Sequence, residues 1–276
     1  MTRTLFFEIT DRCNHACFYC CKSFRGQPGI TMNSGALDKV LSLPASVLVI
    51  SGGEPSLAKE SVAYVLERAT VPVAINTNLS CWTPEEMDFL NRRVRFNISV
   101  PSADERTFRD ITGADTFRQV MGNLERADRN STIIVIVHER NREELAFTVS
   151  RLAVRGFRHF GFQPAYGMAR SEVELAAKAI ERIWAAYPHL DIKGISPWPG
   201  SKKTPVPFGH RCNAGNGRLV ILSDGRIVPC ACGGLPVVGT LDGDAGELFR
   251  AGEAFHHSFP LERRELCKGY AEAACC

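Results

Sequence analysis

Six short apolar runs of strand length alternate with helix-periodic stretches in the N-terminal part of the chain, and this alternation limits the possible folds. The runs cover residues 4–9, 46–50, 71–76, 94–100, 132–137 and 159–163. Helix starts between them include Asn33 and the capping box Thr83-Pro84-Glu85-Glu86. Strands that alternate with helices predict a parallel sheet with right-handed crossovers. Such a sheet is either doubly wound or curved into an incomplete barrel, and periodicity leaves both open.

Three cysteines follow directly after the first apolar run: Cys13, Cys17 and Cys20, with the spacing Cys-x3-Cys-x2-Cys. Three thiolates this close together can ligate three irons of a cubane iron–sulfur cluster and leave the fourth iron open for chemistry. A zinc knuckle usually pairs two short Cys-x2-4-Cys units, and a disulfide framework belongs to small secreted chains. We therefore interpret the segment as an iron–sulfur cluster site.

The composition agrees with a cytoplasmic enzyme. The chain has 276 residues, of which 45% are hydrophobic and 23% charged, as in ordinary globular proteins. Its formal net charge of +3, with both signs mixed along the chain, gives no indication of a nucleic-acid partner. No apolar run approaches membrane-spanning length, and no secretory signal precedes the first predicted strand. The 11 cysteines are therefore better explained as metal ligands in a reducing compartment than as crosslinks, and we expect no membrane partner.

The cysteine spacing, with Tyr19 just before the last cysteine, resembles the signature of the radical S-adenosylmethionine (radical SAM) superfamily. The resemblance implies a [4Fe–4S] cluster whose open iron chelates SAM, an electron donor such as a reductase or flavodoxin, and a 5′-deoxyadenosyl radical that abstracts hydrogen from an unactivated C–H bond. Tyr19 matches the residue whose backbone borders the adenine. The resemblance also selects the architecture, which is α/β with a partial (β/α)6 barrel.

Polar loops after the predicted strands match other parts of the family's SAM site. Gly52-Gly53-Glu54 follows the second strand and looks like the GGE motif, which contacts the amino group of SAM. Adjacent glycines let the backbone approach a ligand closely, although alone this sequence would be an ordinary turn. Asn76 and Ser99, at the ends of the third and fourth strands, match positions that hold the SAM carboxylate and ribose. Simple capping of the strand ends is the alternative for both.

A second domain is expected after an amphipathic helix over residues 171–187. Four prolines between residues 196 and 209 are typical of an irregular connector. We therefore predict a barrel over residues 1–195, a connector over 196–211 and a second domain over 212–276. In that domain, two apolar runs flank Ser223-Asp224-Gly225, a hairpin signal. The hairpin would bring Cys212 and Cys230 close together.

The stretch from Cys212 to Cys230 resembles the opening of the SPASM and twitch domains that follow many radical SAM barrels. Full SPASM domains continue with a dense row of cysteines that this chain lacks, so the resemblance implies a small twitch-like hairpin and helix domain with one auxiliary [4Fe–4S] cluster. The implied ligands are Cys212, Cys230, Cys267 and Cys276, with Cys275 as the alternative to Cys276. A zinc ribbon built from the same residues is the alternative.

The expected activity is that of a radical SAM oxidoreductase or maturase that modifies a peptide or natural product. Electron transfer to the auxiliary cluster would give net oxidation, such as a crosslink or dehydrogenation, and we favour this outcome. Return of hydrogen from a thiol would give epimerisation, with Cys232 as candidate donor; a cluster ligand or a buried thiol are the alternatives for Cys232. Arg170, after the sixth strand, is a candidate contact to a carboxylate of the substrate or of SAM, and a solvent-facing arginine at a helix start is the alternative.

The substrate class is open at the level of sequence. A ribosomally made peptide is slightly favoured over an aminoglycoside or other small metabolite, by analogy with the family. Because the first predicted strand begins within the first few residues, we expect no leader-binding domain before it. A non-catalytic metal-binding scaffold is a remote alternative, since it has no need of the Gly52-Gly53-Glu54 loop.

Overall fold

The computed structural model of the chain describes residues 3–20, 29–165, 168–193, 214–231 and 236–258. The strands in these residues are β1 (Thr4–Thr10), β2 (Val47–Gly52), β3 (Val73–Thr77), β4 (Val94–Ser99), β5 (Thr132–Val137), β6 (His159–Pro164), β7 (Asp191–Lys193), β8 (Arg218–Ile221), β9 (Arg226–Val228) and β10 (Gly239–Thr240). The α-helices are α1 (Ser34–Ser42), α2 (Lys59–Arg68), α3 (Pro84–Leu90), α4 (Glu105–Thr112), α5 (Phe117–Arg126), α6 (Leu145–Ala153), α7 (Arg170–Ala186) and α8 (Ala245–Ser258). Short 3-10 helices cover Pro55–Leu57 and Arg142–Glu144.

The described strands form one sheet in the order β10-β9-β8-β1-β2-β3-β4-β5-β6-β7. Neighbours from β1 to β7 are all parallel, so the predicted α/β architecture with a parallel sheet is confirmed. β8 also runs parallel to β1, with Leu219 opposite Leu5, and β9 and β10 follow it in antiparallel pairs. The predicted hairpin is therefore confirmed, and it extends the barrel sheet beside β1.

Helices cover one face of the parallel sheet. Alternate side chains along the strands, such as Leu5, Ile50 and Ile75, are fully buried in a core cluster shared with the helices. The residues between them face the other side and include half-buried polar side chains such as Asn76 and Asn97. A doubly wound sheet would bury both faces and would show continuous apolar strands. The main core thus lies on the helix side of the sheet, as in an open barrel. The other, concave face carries these polar residues and, beside β1, a smaller apolar cluster of Phe6, Val220, Leu222 and Val228.

The helix starts follow the local signals in the sequence. The Asn33 side chain accepts a hydrogen bond from the amide of Ala36 at 2.9 Å and caps α1. Thr83 and Glu86 form both bonds of the predicted capping box, with Pro84 at the first position of α3. These bonds satisfy amide groups that have no partner within the helix. They explain why the predicted and observed starts agree.

The C-terminal hairpin turns at Gly225, whose φ of 85° is in the left-handed region that favours glycine. Leu222 N donates to Arg226 O at 2.8 Å and closes the turn. The connector predicted over residues 196–211 lies outside the described residues, so the boundaries of the two domains stay predictions. In the described part of the chain, no helix is both long and apolar enough to cross a membrane.

Candidate active site

The loop that leaves the carboxyl end of β1 holds the three clustered cysteines. Cys13, Cys17 and Cys20 are half-buried. Burial, and then the charges of Cys20 and Cys13, raise the pKa of the Cys17 thiol to about 12, whereas a hydrogen bond from the Tyr19 side chain acts in the opposite direction. A metal that replaces the thiol protons would relieve this repulsion. The donor set, three thiols close enough to repel one another as thiolates, therefore fits an iron–sulfur cluster.

No single-ion site is visible next to these thiols. Among the residues that the structure describes, no group of three His, Cys, Asp or Glu side chains is arranged to hold one metal ion.

Backbone atoms of the chain itself occupy the space that side chains at Gly52 and Gly53 would need. Gly53 N donates to Thr10 O at 2.7 Å, and Glu54 N donates to Arg12 O at 2.8 Å. A Cβ atom added to Gly52 would lie 2.1 Å from Thr10 O, and one added to Gly53 would lie 2.0 Å from Arg12 O. The two glycines thus let the end of β2 lie against the segment that leads into the cysteine loop. The sequence-based explanation, approach to a ligand, missed this contact within the chain.

Glu54 is 1% exposed, and its carboxylate accepts three hydrogen bonds. Oε1 accepts from Ser56 N at 3.0 Å and from Thr77 Oγ1 at 2.6 Å, and Oε2 accepts from Asn78 N at 2.6 Å. Burial raises the pKa of this carboxyl, while the hydrogen bonds act in the opposite direction. The chain itself therefore uses three of the about four acceptor positions that a carboxylate offers.

The corner between α4 and α5 supports the cysteine loop from another side. Ala16 N donates to Thr112 O at 2.8 Å, and His15 Nε2 is 2.8 Å from Thr116 Oγ1. The His15 ring meets the Phe108 ring edge-on at 5.9 Å. Burial lowers the pKa of His15 to about 4, so the ring is neutral near pH 7. These supports were not predictable, because no local pattern connects residues about 100 positions apart.

The predicted ribose and carboxylate residues lie on the concave face. Asn76 donates to Ser51 Oγ at 3.2 Å and accepts from Asn97 Nδ2 at 2.8 Å, which links β2, β3 and β4. Asn76 is the penultimate residue of β3, and Ser99 is the last residue of β4 and half-buried. Both stand on the face that the helices leave open, and their contacts with SAM stay predictions.

Aromatic contacts connect the cysteine loop to the end of β5. The ring of Phe18 meets that of His138 at 4.4 Å and that of Tyr19 at 5.3 Å. The Arg140 guanidinium lies 4.3 Å from the centre of the Phe18 ring. Burial lowers the pKa of His138. His138 and Arg140 belong to no motif, and their contact with Phe18 depends on the distance between the end of β5 and the cysteine loop in the fold.

The second group of predicted metal ligands is only partly within the described residues. Cys230 is half-buried and follows β9, which runs back towards the amino end of β1. Gly215 N lies 3.3 Å from Pro229 O, so the chain just after Cys212 meets the chain just before Cys230. Other predicted site residues lie outside the described part: Cys212, Cys232, Cys267, Cys275, Cys276 and the side chain of Arg170.

Glu54→Gln should lower the free energy of unfolding by about 1 to 3 kcal/mol, because either orientation of the new amide leaves one buried backbone N–H without an acceptor. Urea unfolding of the metal-free protein at pH 7 measures the change. The matched control is Glu60→Gln on the exposed side of α2, which we expect to change stability by less than about 0.5 kcal/mol. Equal stability of the two variants would show that relief of the buried charge compensates for the lost bonds.

An open parallel barrel with clustered thiols after its first strand defines a metal-dependent α/β enzyme. The sequence profile of the Radical SAM superfamily matches residues 7–152, and the chain belongs to this superfamily. Membership implies a [4Fe–4S] cluster and SAM as cofactors.

The curated relatives include GTP 3′,8-cyclases. The protein of Vibrio parahaemolyticus is 30% identical over 161 residues, which cover 50% of this chain and 47% of that protein. A protein of Vibrio cholerae is 33% identical over 139 residues, which cover 44% and 40%. The chain thus spans less than half the length of these relatives.

Solved structures share the fold at low sequence identity. The structure described as native anSMEcpe with bound AdoMet and Kp18Cys peptide has a TM-score of 0.72 and 16% identity, over 98% of this chain and 88% of that one. SuiB of Streptococcus suis bound to S-adenosylmethionine has a TM-score of 0.69 and 13% identity, over 90% and 64%. The α/β radical SAM fold is therefore confirmed, and the twitch-like domain stays a prediction.

Proposed function

We propose that this radical SAM enzyme is an oxidoreductase that acts on a C–H bond of a peptide, with net loss of two hydrogens. The observation that carries the proposal is the position of Cys230 relative to the cysteine loop. The loop leaves the carboxyl end of β1, whereas Cys230 lies towards its amino end. β1 has seven residues and spans about 20 Å at about 3.3 Å per residue. A substrate on the concave face would lie between the two cysteine sites.

The first cofactor site would use the residues of the cysteine loop and its neighbours. A [4Fe–4S] cluster held by Cys13, Cys17 and Cys20 would supply the electron that cleaves SAM. Oε2 of Glu54 accepts from Asn78 N, and because a carboxylate oxygen accepts about two hydrogen bonds, it would also take an ammonium N–H of SAM. Gly52 and Gly53 would keep this carboxylate next to the cysteine loop.

The concave face would hold the rest of SAM. Asn76 and Ser99 present polar side chains from neighbouring strands, and we assign them to the carboxylate and ribose of SAM. The Tyr19 backbone would border the adenine. The Phe18 ring, fixed by His138 and Arg140, would exclude water from that side.

The second cluster would be held by Cys212 and Cys230 together with Cys267 and Cys276, or Cys275 in place of Cys276. The contact between Gly215 and Pro229 supports the pairing of the first two. At the far end of β1, this cluster would accept the electron that a substrate radical must lose in an oxidation. A zinc ribbon would offer no such acceptor, since Zn²⁺ has no redox chemistry.

Solved structures and curated relatives suggest different classes of substrate. One structure shows SuiB bound to its precursor peptide SuiA, and the anSMEcpe structure contains a peptide, which supports a peptide substrate. The curated relatives are named for a reaction of GTP, so a nucleotide is the second candidate. We place it second because those matches cover about half of each chain or less. 5′-Deoxyadenosine formation that depends on added GTP would reverse this order.

The peptide product should be two hydrogens lighter than the substrate and should contain no solvent deuterium at the attacked carbon. An oxidase removes a second electron and a proton, whereas an epimerase returns hydrogen from an exchangeable thiol such as Cys232. Mass spectrometry after turnover in deuterated water, with peptides encoded beside the gene as candidate substrates, separates the two. A product of unchanged composition that gains one deuterium, and that disappears in Cys232→Ala, would establish epimerisation instead.

A further inference from the structure

A closed ring of hydrogen bonds joins the loop after β3 to the cysteine loop. Asn78 Nδ2 donates to Asn14 Oδ1 at 2.9 Å, and Asn14 Nδ2 donates to Ser80 Oγ at 2.8 Å and to Cys81 Sγ at 3.2 Å. Ser80 closes the ring, because its amide and hydroxyl donate to Asn78 Oδ1 at 2.9 and 2.6 Å. Each member both donates and accepts, so the ring fixes the orientation of both asparagine side chains.

The ring is connected by a hydrogen bond to the buried carboxylate of Glu54. Its Oε2 accepts from the amide of Asn78 at 2.6 Å, and its Oε1 accepts from Thr77 Oγ1 at 2.6 Å. Thr77 Oγ1 in turn accepts from Leu79 N at 3.0 Å and from Trp82 Nε1 at 3.1 Å. Leu79 is fully buried and has a φ of 65°, a conformation that costs a non-glycine residue about 1 kcal/mol or more. The bonds around it hold the loop in this strained form.

The other end of the ring lies next to the first cysteine. Asn14 directly follows Cys13, and the next amide, His15 N, donates to Cys13 Sγ at 3.4 Å. That N–H belongs to the peptide group joining Asn14 to His15, so the direction of the N–H depends on how Asn14 is held. Hydrogen bonds to cysteine sulfur tune the reduction potential of iron–sulfur clusters.

We propose that Asn14 and Asn78 are positioning residues, through which the Glu54 carboxylate fixes the Cys13 end of the cysteine loop and aims the His15 N–H at the Cys13 sulfur. The inference rests on the proposed role of Cys13 as a cluster ligand. It gives Glu54 a role that does not require SAM: two of the hydrogen bonds it accepts, from Thr77 Oγ1 and Asn78 N, hold the loop that holds Asn14. The arrangement would preset the geometry of one thiolate before the cofactors bind.

The test compares two single variants with the double variant. Asn14→Ala removes the three side-chain bonds between Asn14 and the loop after β3, and Asn78→Ala removes the one that joins the two asparagines. Asn78→Ala leaves the backbone bond to Glu54 intact. The control is Asn91→Ala: Asn91 also joins two segments, donating to Arg126 O at 2.8 Å and accepting from Asp128 N at 3.0 Å, but it lies at the opposite end of α3. Each reconstituted protein is assayed for iron release to a chelator and for the midpoint potential of the electron paramagnetic resonance signal that SAM perturbs.

Each single variant should release the iron of the first cluster about 10-fold faster or more, the usual range for loss of a group that orients a metal ligand. The midpoint potential should fall, because the lost N–H···S bond stabilises the more negative, reduced cluster. The double variant should match Asn14→Ala, because Asn14→Ala already removes the bond between the two asparagines that Asn78→Ala removes. The Asn91→Ala protein should behave as wild type in both measurements, even where its unfolding temperature falls.

Release rates and potentials equal to those of Asn91→Ala would overturn the proposal, as would single effects that multiply in the double variant. If Asn78→Ala fails to fold, Asn14→Ala tests the same link, because Asn14 is half-buried and outside the strained loop. A wild-type protein that binds the cluster but fails to cleave SAM would contradict the proposed function instead. The comparison of iron release among variants would still stand in that case.

Discussion

Gly53→Ala is expected to give a folded barrel that cannot assemble its first cluster. The new Cβ would lie 2.0 Å from Arg12 O and 2.4 Å from the Arg12 carbonyl carbon, so backbone must move. β2 is held in the sheet by β1 and β3 on both sides, whereas the cysteine loop is half-buried. The loop is therefore the part that should move, and it contains all three thiols. Most of the iron of the first cluster and nearly all SAM cleavage should be lost.

Gly122→Ala is the matched control for this prediction. A Cβ on Gly122, in α5, would meet nothing within 4 Å, and glycine within a helix costs about 1 kcal/mol relative to alanine. This variant should keep its iron and its activity and be slightly more stable than wild type. Iron per chain, circular dichroism and 5′-deoxyadenosine formation are measured on both proteins. Full iron loading and normal cleavage in Gly53→Ala would refute the structural role assigned to Gly53.

Strand positions were predictable because each strand has a local signal. The run over residues 132–137 coincides with β5, and the other five predicted strands differ from β1, β2, β3, β4 and β6 by one or two residues at an end. The alternation of buried and exposed residues in these strands is a property of the sequence itself. Periodicity did not distinguish a doubly wound sheet from an open barrel. That choice depends on whether the helices cover both faces of the sheet or one. Only the structure, or the family resemblance, decides that.

Two helices, α2 and α4, were not identified from the sequence. α2 buries only Val62 and Val65 and has no side-chain hydrogen bond at its N-cap, whereas the equally short α1 and α3 begin at recognisable caps. α4 buries Phe108, Ile111 and Thr112 among mostly charged and polar residues, so its apolar period is short. The pairing of β8 with β1 was also missed, because the hairpin signal is local whereas Thr4 and Arg218 pair across most of the chain.

In the candidate site, too, local motifs were predictable and contacts between residues far apart in the sequence were not. Spacing and strand position were sufficient to predict the cysteine loop and the Gly52-Gly53-Glu54 loop. The partners of Glu54 were not predictable, since Thr77 and Asn78 lie on the next loop and follow no motif. The glycines were attributed to a ligand, whereas their closest neighbours are Thr10 and Arg12. Motifs thus predicted which loops form the candidate site, and tertiary contacts show how these loops are held.

Replacing Cys13, Cys17 and Cys20 together by Ala should remove about half of the iron and abolish SAM cleavage. Two cubane clusters contain about eight irons per chain, and the first is the one whose open iron would chelate SAM. Cys230→Ala should remove the other half but leave some unproductive cleavage, because its site lies towards the opposite end of β1. Iron and zinc analysis of anaerobically reconstituted proteins, with 5′-deoxyadenosine assayed after SAM and dithionite, measures all of these effects.

The two variants together decide which site does which chemistry. Cleavage that persists in the triple variant would mean that SAM binds at the other cysteines, so the first site would be misassigned. Loss of zinc rather than iron from Cys230→Ala would leave the chain with one cluster and no second electron acceptor. The proposed route of oxidation would then be lost, because no second cluster would be present to take the electron of the substrate radical. Half the iron lost in each variant, with cleavage lost only in the triple one, is the pattern that oxidation requires.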